Sequence, residues 1–298
     1  MNLNQFLRII EIRTKIISVS TLLIAHLYVL MVKGSLDVFM LMLVACASLL
    51  VDMGTTAFNS YFDYVRKVDS SRIKRESEKV LVYEGVPPAL ALWTGAAMFG
   101  LALIPGMLIV FRAGWIILVL GVLSLSAGYL YSGGPLPVSR TPFGEIFAGG
   151  FLGTILFMVV TISQGIDPGV RELAASLPSF IHIAGILTVN NTCDIEGDRA
   201  AGRKTLSILT GVSTAGIIIA LEVLFSYILV FTVIPVSIPA LLIAIPGLAV
   251  SAYAYLSMVR SGFSHETKAS SMGKISLSFT AYTLVYSVLL VLSFLQAA

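Results

Sequence analysis

Charge is scarce in this sequence. Only 12% of the 298 residues are Asp, Glu, Lys or Arg, while 57% are apolar. A soluble domain carries about 25% charged and 45–50% apolar residues. That deficit excludes an ordinary soluble globule and points to an all-α, polytopic membrane protein. Nothing in it calls for a nucleic-acid partner. Cysteine is scarcer still. Cys46 and Cys193 alone cannot build a disulfide framework or, by their spacing, a zinc site. Cys46 reads as a small side chain in an apolar run. A cleavable leader is also missing from the pattern: residues 1–15 lack an apolar core followed by small residues. The first apolar run therefore reads as a retained span.

Long apolar runs are what the sequence does have. A span needs roughly 20 apolar residues. Nine candidates occur, at about 16–33, 37–59, 89–111, 113–132, 145–164, 173–192, 213–234, 238–258 and 275–296. In lipid each must be helical, because open sheet edges leave backbone groups unsatisfied there. Pro105, Pro235, Pro239 and Pro246 fall within or beside spans, so kinks or early ends are expected. With the N-terminus cytoplasmic, 16 of the 19 basic residues lie on the inner side. That bias follows the positive-inside rule and supports nine spans. The chain reads as one domain, 1–298, with its charged loops facing the cytoplasm.

The charge that remains is concentrated after spans two and six. Span two ends FNSYFDYVRKVD, with Asn59 and Asp63 four apart and Asp69 beyond. Span six ends VNNTCDIEGD, with Asn190, Asp194 and Asp198 at successive intervals of four. Both the Asn and the Asp recur at the same offset of 131 residues. Residues four apart share one helix face. Each motif thus sets an amide and carboxylates in a row. Such hard oxygen donors suit Mg²⁺, which keeps water or phosphate oxygens in its shell. Nearby Arg66, Lys67, Arg72, Arg203 and Lys204 would neutralise phosphate. The pattern fits a metal–diphosphate site at the mouth of a membrane cavity. For one motif alone, solvated interface residues explain the charge equally well; a matched pair on like-oriented helices favours the site. The segment SSRIKRESEKVLVY between spans two and three fits a short amphipathic helix or a basic loop on anionic lipid.

These two motifs resemble those of the UbiA-type intramembrane prenyltransferases. The form NNTCDIEGDRAAGRKTL is most similar to the branch that prenylates 1,4-dihydroxy-2-naphthoate, as is YSGGPLPVSRTPFGE, Tyr131 to Glu145. The resemblance covers the whole chain. It implies nine helices around a central cavity, open sideways to lipid and capped by cytoplasmic loops. It also implies a polyprenyl diphosphate donor, an aromatic acceptor and bound Mg²⁺. Carried over, Asn59, Asp63, Asp194 and Asp198 hold metal and diphosphate. Asp69 and Asn190 match the motifs' outer positions, and Lys204 matches a phosphate-contacting base. The sequence departs from the family at Ser60, where Asp is usual, and at Cys193, where Arg is usual. It also lacks a proline in the stretch Glu11 to Lys15.

Tyr61, Tyr64 and Tyr131 offer rings either to an allylic cation or to the membrane's aromatic belt. Arg13 and Lys15 fit acceptor or phosphate contact as well as lipid-headgroup anchoring. Asp52, two turns before Asn59, extends the polar stripe. Glu222 has no evident partner. His26 and His182 read as satisfied core histidines. Gly144, Gly149, Gly150 and Gly153 read as helix-packing positions. Two further readings stay open: a different acceptor (4-hydroxybenzoate, homogentisate, haem, phosphoribose or a glyceryl phosphate lipid) and a membrane transporter.

Overall fold

The computed structural model describes residues 2–68 and 79–297. Among them are nine helices long and apolar enough to cross a membrane, and no strand. They are α1 (Ile16–Lys33), α2 (Val38–Val65), α3 (Pro88–Ala113), α4 (Trp115–Ser132) and α5 (Gly144–Ser163). Then follow α6 (Val170–Cys193), α7 (Leu206–Val230), α8 (Ile238–Ser261) and α9 (Lys268–Ala297). All nine coincide with the apolar runs.

Consecutive helices pack as antiparallel pairs, α2 with α3, α6 with α7 and α8 with α9, and α9 also lies against α1. The central member is α6, two thirds buried against 17% for α4. Its His182 donates or accepts at Ser226 (2.9 Å) and Ser278 (3.3 Å) and stacks on Tyr282, 4.9 Å between centroids. It is a satisfied core histidine, as expected. Large apolar side chains such as Phe111, Trp115 and Val170 face outward, which in a bilayer costs nothing.

Several local features differ from the expectation. Residues 206–212 are helical and extend α7 backwards, with a break at Gly211, whose φ of 79° only glycine adopts freely. Pro105 and Pro246 sit inside α3 and α8, which continue through them, as does Pro178 in α6. Pro239 occupies the first turn of α8, where no intrahelical N–H is needed. Helix α5 widens to a π-helical stretch over Gly149–Ile155. There α6 comes very close: a Cβ on Gly149 would lie 2.4 Å from the Phe180 carbonyl oxygen, and one on Gly153 would lie 2.6 Å from the Phe180 backbone. Gly144 and Gly150 have no such contact. Two of the four glycines therefore do the packing.

One end of the bundle carries a cap. Leu3–Ile9 forms a short helix closed by an Asn2–Gln5 capping box. Ile9 packs with Ala57, Val80, Leu81, Val86 and Ala91. Ion pairs Arg8–Glu84 (2.7 Å) and Lys79–Glu11 (3.4 Å) tie the N-terminal segment to the residues before α3. Of SSRIKRESEKVLVY, only the last residues are described, with Val80–Tyr83 as a single helical turn.

Candidate active site

Both motifs open onto one chamber of about 2000 Å³. Asn59, Asp63, Asn190, Asn191, Asp194 and Arg203 line its capped end. One face of α4, from Tyr131 to Ile117, and one face of α5, from Phe147 to Val159, line its length. At ~1.5 Å per residue the α4 face alone runs about 21 Å into the bundle. Beyond the motif level it is largely apolar.

The carboxylates form two neutralised groups. Arg203 Nη2 donates to Asp63 Oδ1 at 2.7 Å, and Nη1 donates to Asp198 Oδ1 at 3.4 Å. All three are buried. Burial alone would work against the guanidinium charge. Asp63 and Asp198 outweigh it and hold Arg203 above its ordinary range. Asp194 instead faces the α8–α9 connection: Lys268 Nζ donates to Oδ2 at 2.6 Å, and His265 Nδ1 lies 3.2 Å from Oδ1. Two cationic groups from different parts of the chain thus fix the two motifs' acids.

The expected row along span six is interrupted. Helix α6 ends at Cys193, Asp194 leaves helical geometry (φ −105°, ψ 11°), and Asp198 lies on a separate turn, Ile195–Ala200. The bend directs Asp194 toward Lys268 and places Asp198 behind Arg203. Asp198 is not a lining residue. Asn59 Oδ1 accepts from Ser132 Oγ at 2.5 Å, and Asn191 Nδ2 donates to Glu145 Oε1 at 2.8 Å.

The loop after α4 is tied to both motifs. Arg66 donates to the Ser132 carbonyl and, at 2.6 Å, to that of Gly134. Arg140 Nη2 donates to the Ala201 carbonyl at 2.7 Å, and the Lys204 amide donates to the Arg140 carbonyl at 2.9 Å.

The other sequence candidates divide. Tyr131 lines the chamber and stacks near Phe147, 6.3 Å between centroids. Arg13 and Tyr64 also line it. Lys67 and Lys204 are exposed, and neither lines it. Lys15 is buried and donates to Asp52 Oδ1 at 2.6 Å, with Ser18 Oγ on Oδ2 at 2.5 Å. Lys15 and Asp52 neutralise each other, so Lys15 is engaged away from the motifs. Glu222 accepts from Thr188 Oγ1 at 3.1 Å. Asp69 and Arg72 lie outside the described residues. Sequence reasoning missed His265 and Lys268 as site residues. Their only signal was the polar HETK cluster between spans eight and nine.

Among the described residues no three His, Cys, Asp or Glu side chains converge to hold a metal by themselves. Asn59, Asp63, Asn190 and Asp194 nonetheless offer oxygen donors at one end of the chamber, a set suited to a hard divalent cation that takes its remaining ligands from phosphate or water.

A Bacillus subtilis 1,4-dihydroxy-2-naphthoate octaprenyltransferase is 34% identical over 200 residues, 66% of this chain and 62% of that protein. A Danio rerio UbiA prenyltransferase domain-containing protein 1 is 26% identical over 66% of this chain and 58% of its own length. The chain thus spans less than two thirds of these relatives. Among solved structures, an Archaeoglobus fulgidus UbiA homologue bound to DMAPP and Mg²⁺ superposes with a TM-score of 0.63 at 16% identity, over 93% of this chain and 99% of that one. A digeranylgeranylglyceryl phosphate synthase reaches 0.65 at 19%, over 97% and 98%. Those two share the fold. The UbiA prenyltransferase family pattern matches residues 18–280, and the chain is a multi-pass integral membrane protein belonging to that family.

Proposed function

We propose that this protein transfers a polyprenyl group from a prenyl diphosphate to an aromatic acceptor inside the membrane, with Mg²⁺ bound, and that the acceptor is 1,4-dihydroxy-2-naphthoate. One observation carries the reading: a single chamber joins both Asn/Asp motifs at a charged end to a long apolar body. That shape suits a molecule with a diphosphate head and a hydrocarbon tail. The Bacillus relative at 34% identity supports the acceptor. The bias of basic residues supports a cytoplasmic N-terminus and a charged end at the cytoplasmic face.

Asn59, Asp63, Asn190 and Asp194 would hold Mg²⁺, with Asp69 at the outer edge. The ion supplies neutralisation of the diphosphate as it gains charge. Asp198 fixes Arg203 from behind, so the guanidinium stands ready at the phosphate without rearranging. Lys268 adds a second cation. Lys67, Arg72 and Lys204 would screen the outer phosphate, and Arg13 the rim. The allylic C–O bond breaks with its electrons on the diphosphate. Tyr131 presents its ring to the cation left behind, and the apolar walls exclude water.

The acceptor ring carbon that bears the carboxylate then bonds to the prenyl carbon. The electrons of the ring–carboxylate bond return to the ring, and CO₂ leaves. Aromaticity is restored without removing a ring proton. No general base is needed for that step, in keeping with a site where Asp63 and Asp198 are paired with Arg203 and Asp194 with Lys268.

The test is prenyl transfer by purified protein in nanodiscs, with geranylgeranyl diphosphate, Mg²⁺ and 1,4-dihydroxy-2-naphthoate. Product lost in EDTA and in Asp63→Ala and Asp194→Ala supports site and acceptor together. Transfer only to another acceptor keeps the mechanism and corrects the acceptor. No turnover with any acceptor, together with equal donor binding by wild type and both variants, overturns the reading.

A further inference from the structure

Two glycines stand on the chamber wall formed by α3 and α4. Helices α3 and α4 run antiparallel from a turn at Gly114. Gly106 stands eight residues before that turn and Gly121 seven after it, so they sit at one depth. Both line the chamber. A Cβ built on either meets nothing within 4 Å. Packing therefore does not require these glycines. Gly95 and Gly128, on the same two helices, are required: their Cβ atoms would strike Phe58 at 2.9 Å and Thr55 Oγ1 at 2.3 Å. A helical glycine costs about 1 kcal/mol relative to alanine, so two unpacked ones at one level leave room at a price in helix stability. The room belongs to the chamber, and its surroundings are hydrocarbon: Ile109, Val110, Ile117 and, from α5, Leu156 and Val159. Gly121 lies ten residues along α4 from Tyr131, about 15 Å at ~1.5 Å per residue.

We propose that Gly106 and Gly121 form the subsite for the distal units of a long polyprenyl chain and so set the donor length this protein accepts. The inference rests on the prenyl-transfer reading. A head held by Asp63 and Asp194 leaves a short tail within the Tyr131 end of the chamber. A long tail reaches the level of the two glycines, where side chains would narrow its path. Burial of each further CH₂ contributes about 0.8 kcal/mol, so blocking the path acts on long donors and spares short ones.

The experiment compares geranyl and octaprenyl diphosphate, with 1,4-dihydroxy-2-naphthoate as acceptor, in wild type, Gly121→Leu, Gly106→Leu and Gly100→Leu. Gly100 also has open space around a Cβ but does not line the chamber. The readout is the octaprenyl-to-geranyl ratio of kcat/KM. The expected result is a fall of at least about tenfold, the scale on which apolar sites discriminate by size, in the first two variants and no change in Gly100→Leu. An unchanged ratio in variants that still use geranyl diphosphate overturns the inference while prenyl transfer stands. An equal shift in Gly100→Leu also overturns it. A wild type that transfers neither donor removes the underlying reading and this inference with it. Should either leucine variant fail to fold, as judged by melting in detergent, the Gly106→Ala/Gly121→Ala pair decides, since its Cβ atoms enter open space.

Discussion

Replacing Arg203 by Met tests whether the two motifs are held together by charge. In the wild type the guanidinium sits between two buried carboxylates, 2.7 Å from Asp63 and 3.4 Å from Asp198. Without it, two acids from α2 and from the turn after α6 face the interior with no guanidinium between them. Removing one partner from a buried pair costs about 3–5 kcal/mol. At roughly 2–4 °C per kcal/mol for chains of a few hundred residues, the melting temperature in detergent with EDTA falls on the order of 10 °C. Mg²⁺ then stabilises the variant more than the wild type, because the divalent ion takes over the neutralisation. Asp63→Asn in the same background recovers part of the loss, and the double-mutant cycle gives a coupling of about 0.5–3 kcal/mol. An Arg203→Met protein that melts like the wild type in EDTA, or a coupling of zero, would refute the reasoning.

Two more outcomes follow from packing and pairing. Gly153→Ala should destabilise by about 1–3 kcal/mol through overpacking on Phe180. Gly150→Ala, whose Cβ would stay 3.8 Å from the Phe180 ring, should be close to neutral in the same melting assay. Lys15→Ala should cost about 3–5 kcal/mol by stranding Asp52, while Lys15→Met/Asp52→Leu should recover most of that loss; a double variant no more stable than the single would count against an isolated structural pair.

The spans were legible because membrane insertion imposes one rule, a run of apolar residues, that does not depend on tertiary contacts. Asn59, Asp63, Asn190 and Asp194 were legible for a similar reason: a repeated interval of four is local. Partners were not. Lys268 is 74 residues from Asp194, Ser132 is 73 from Asn59, and Lys15 is 37 from Asp52. No local pattern ties such residues together. The bend at Asp194 was hidden as well, since the spacing of its acids fits a continuous helix. Gly149 and Gly153 could be told from Gly144 and Gly150 only once α6 was seen against α5.

The loop between α4 and α5 meets both motifs mainly through peptide groups. Arg66 reaches the carbonyls of Ser132 and Gly134, and the Arg140 carbonyl takes the Lys204 amide. Peptide groups are the same whatever side chain they carry. Substitutions at an exposed position such as Leu136 leave these ties intact, whereas Gly133 is held to glycine by close contacts and Gly134 by its positive φ, and a one-residue insertion or deletion would shift the anchors relative to one another. Among relatives with the same chemistry, this loop is expected to keep its length and its two glycines.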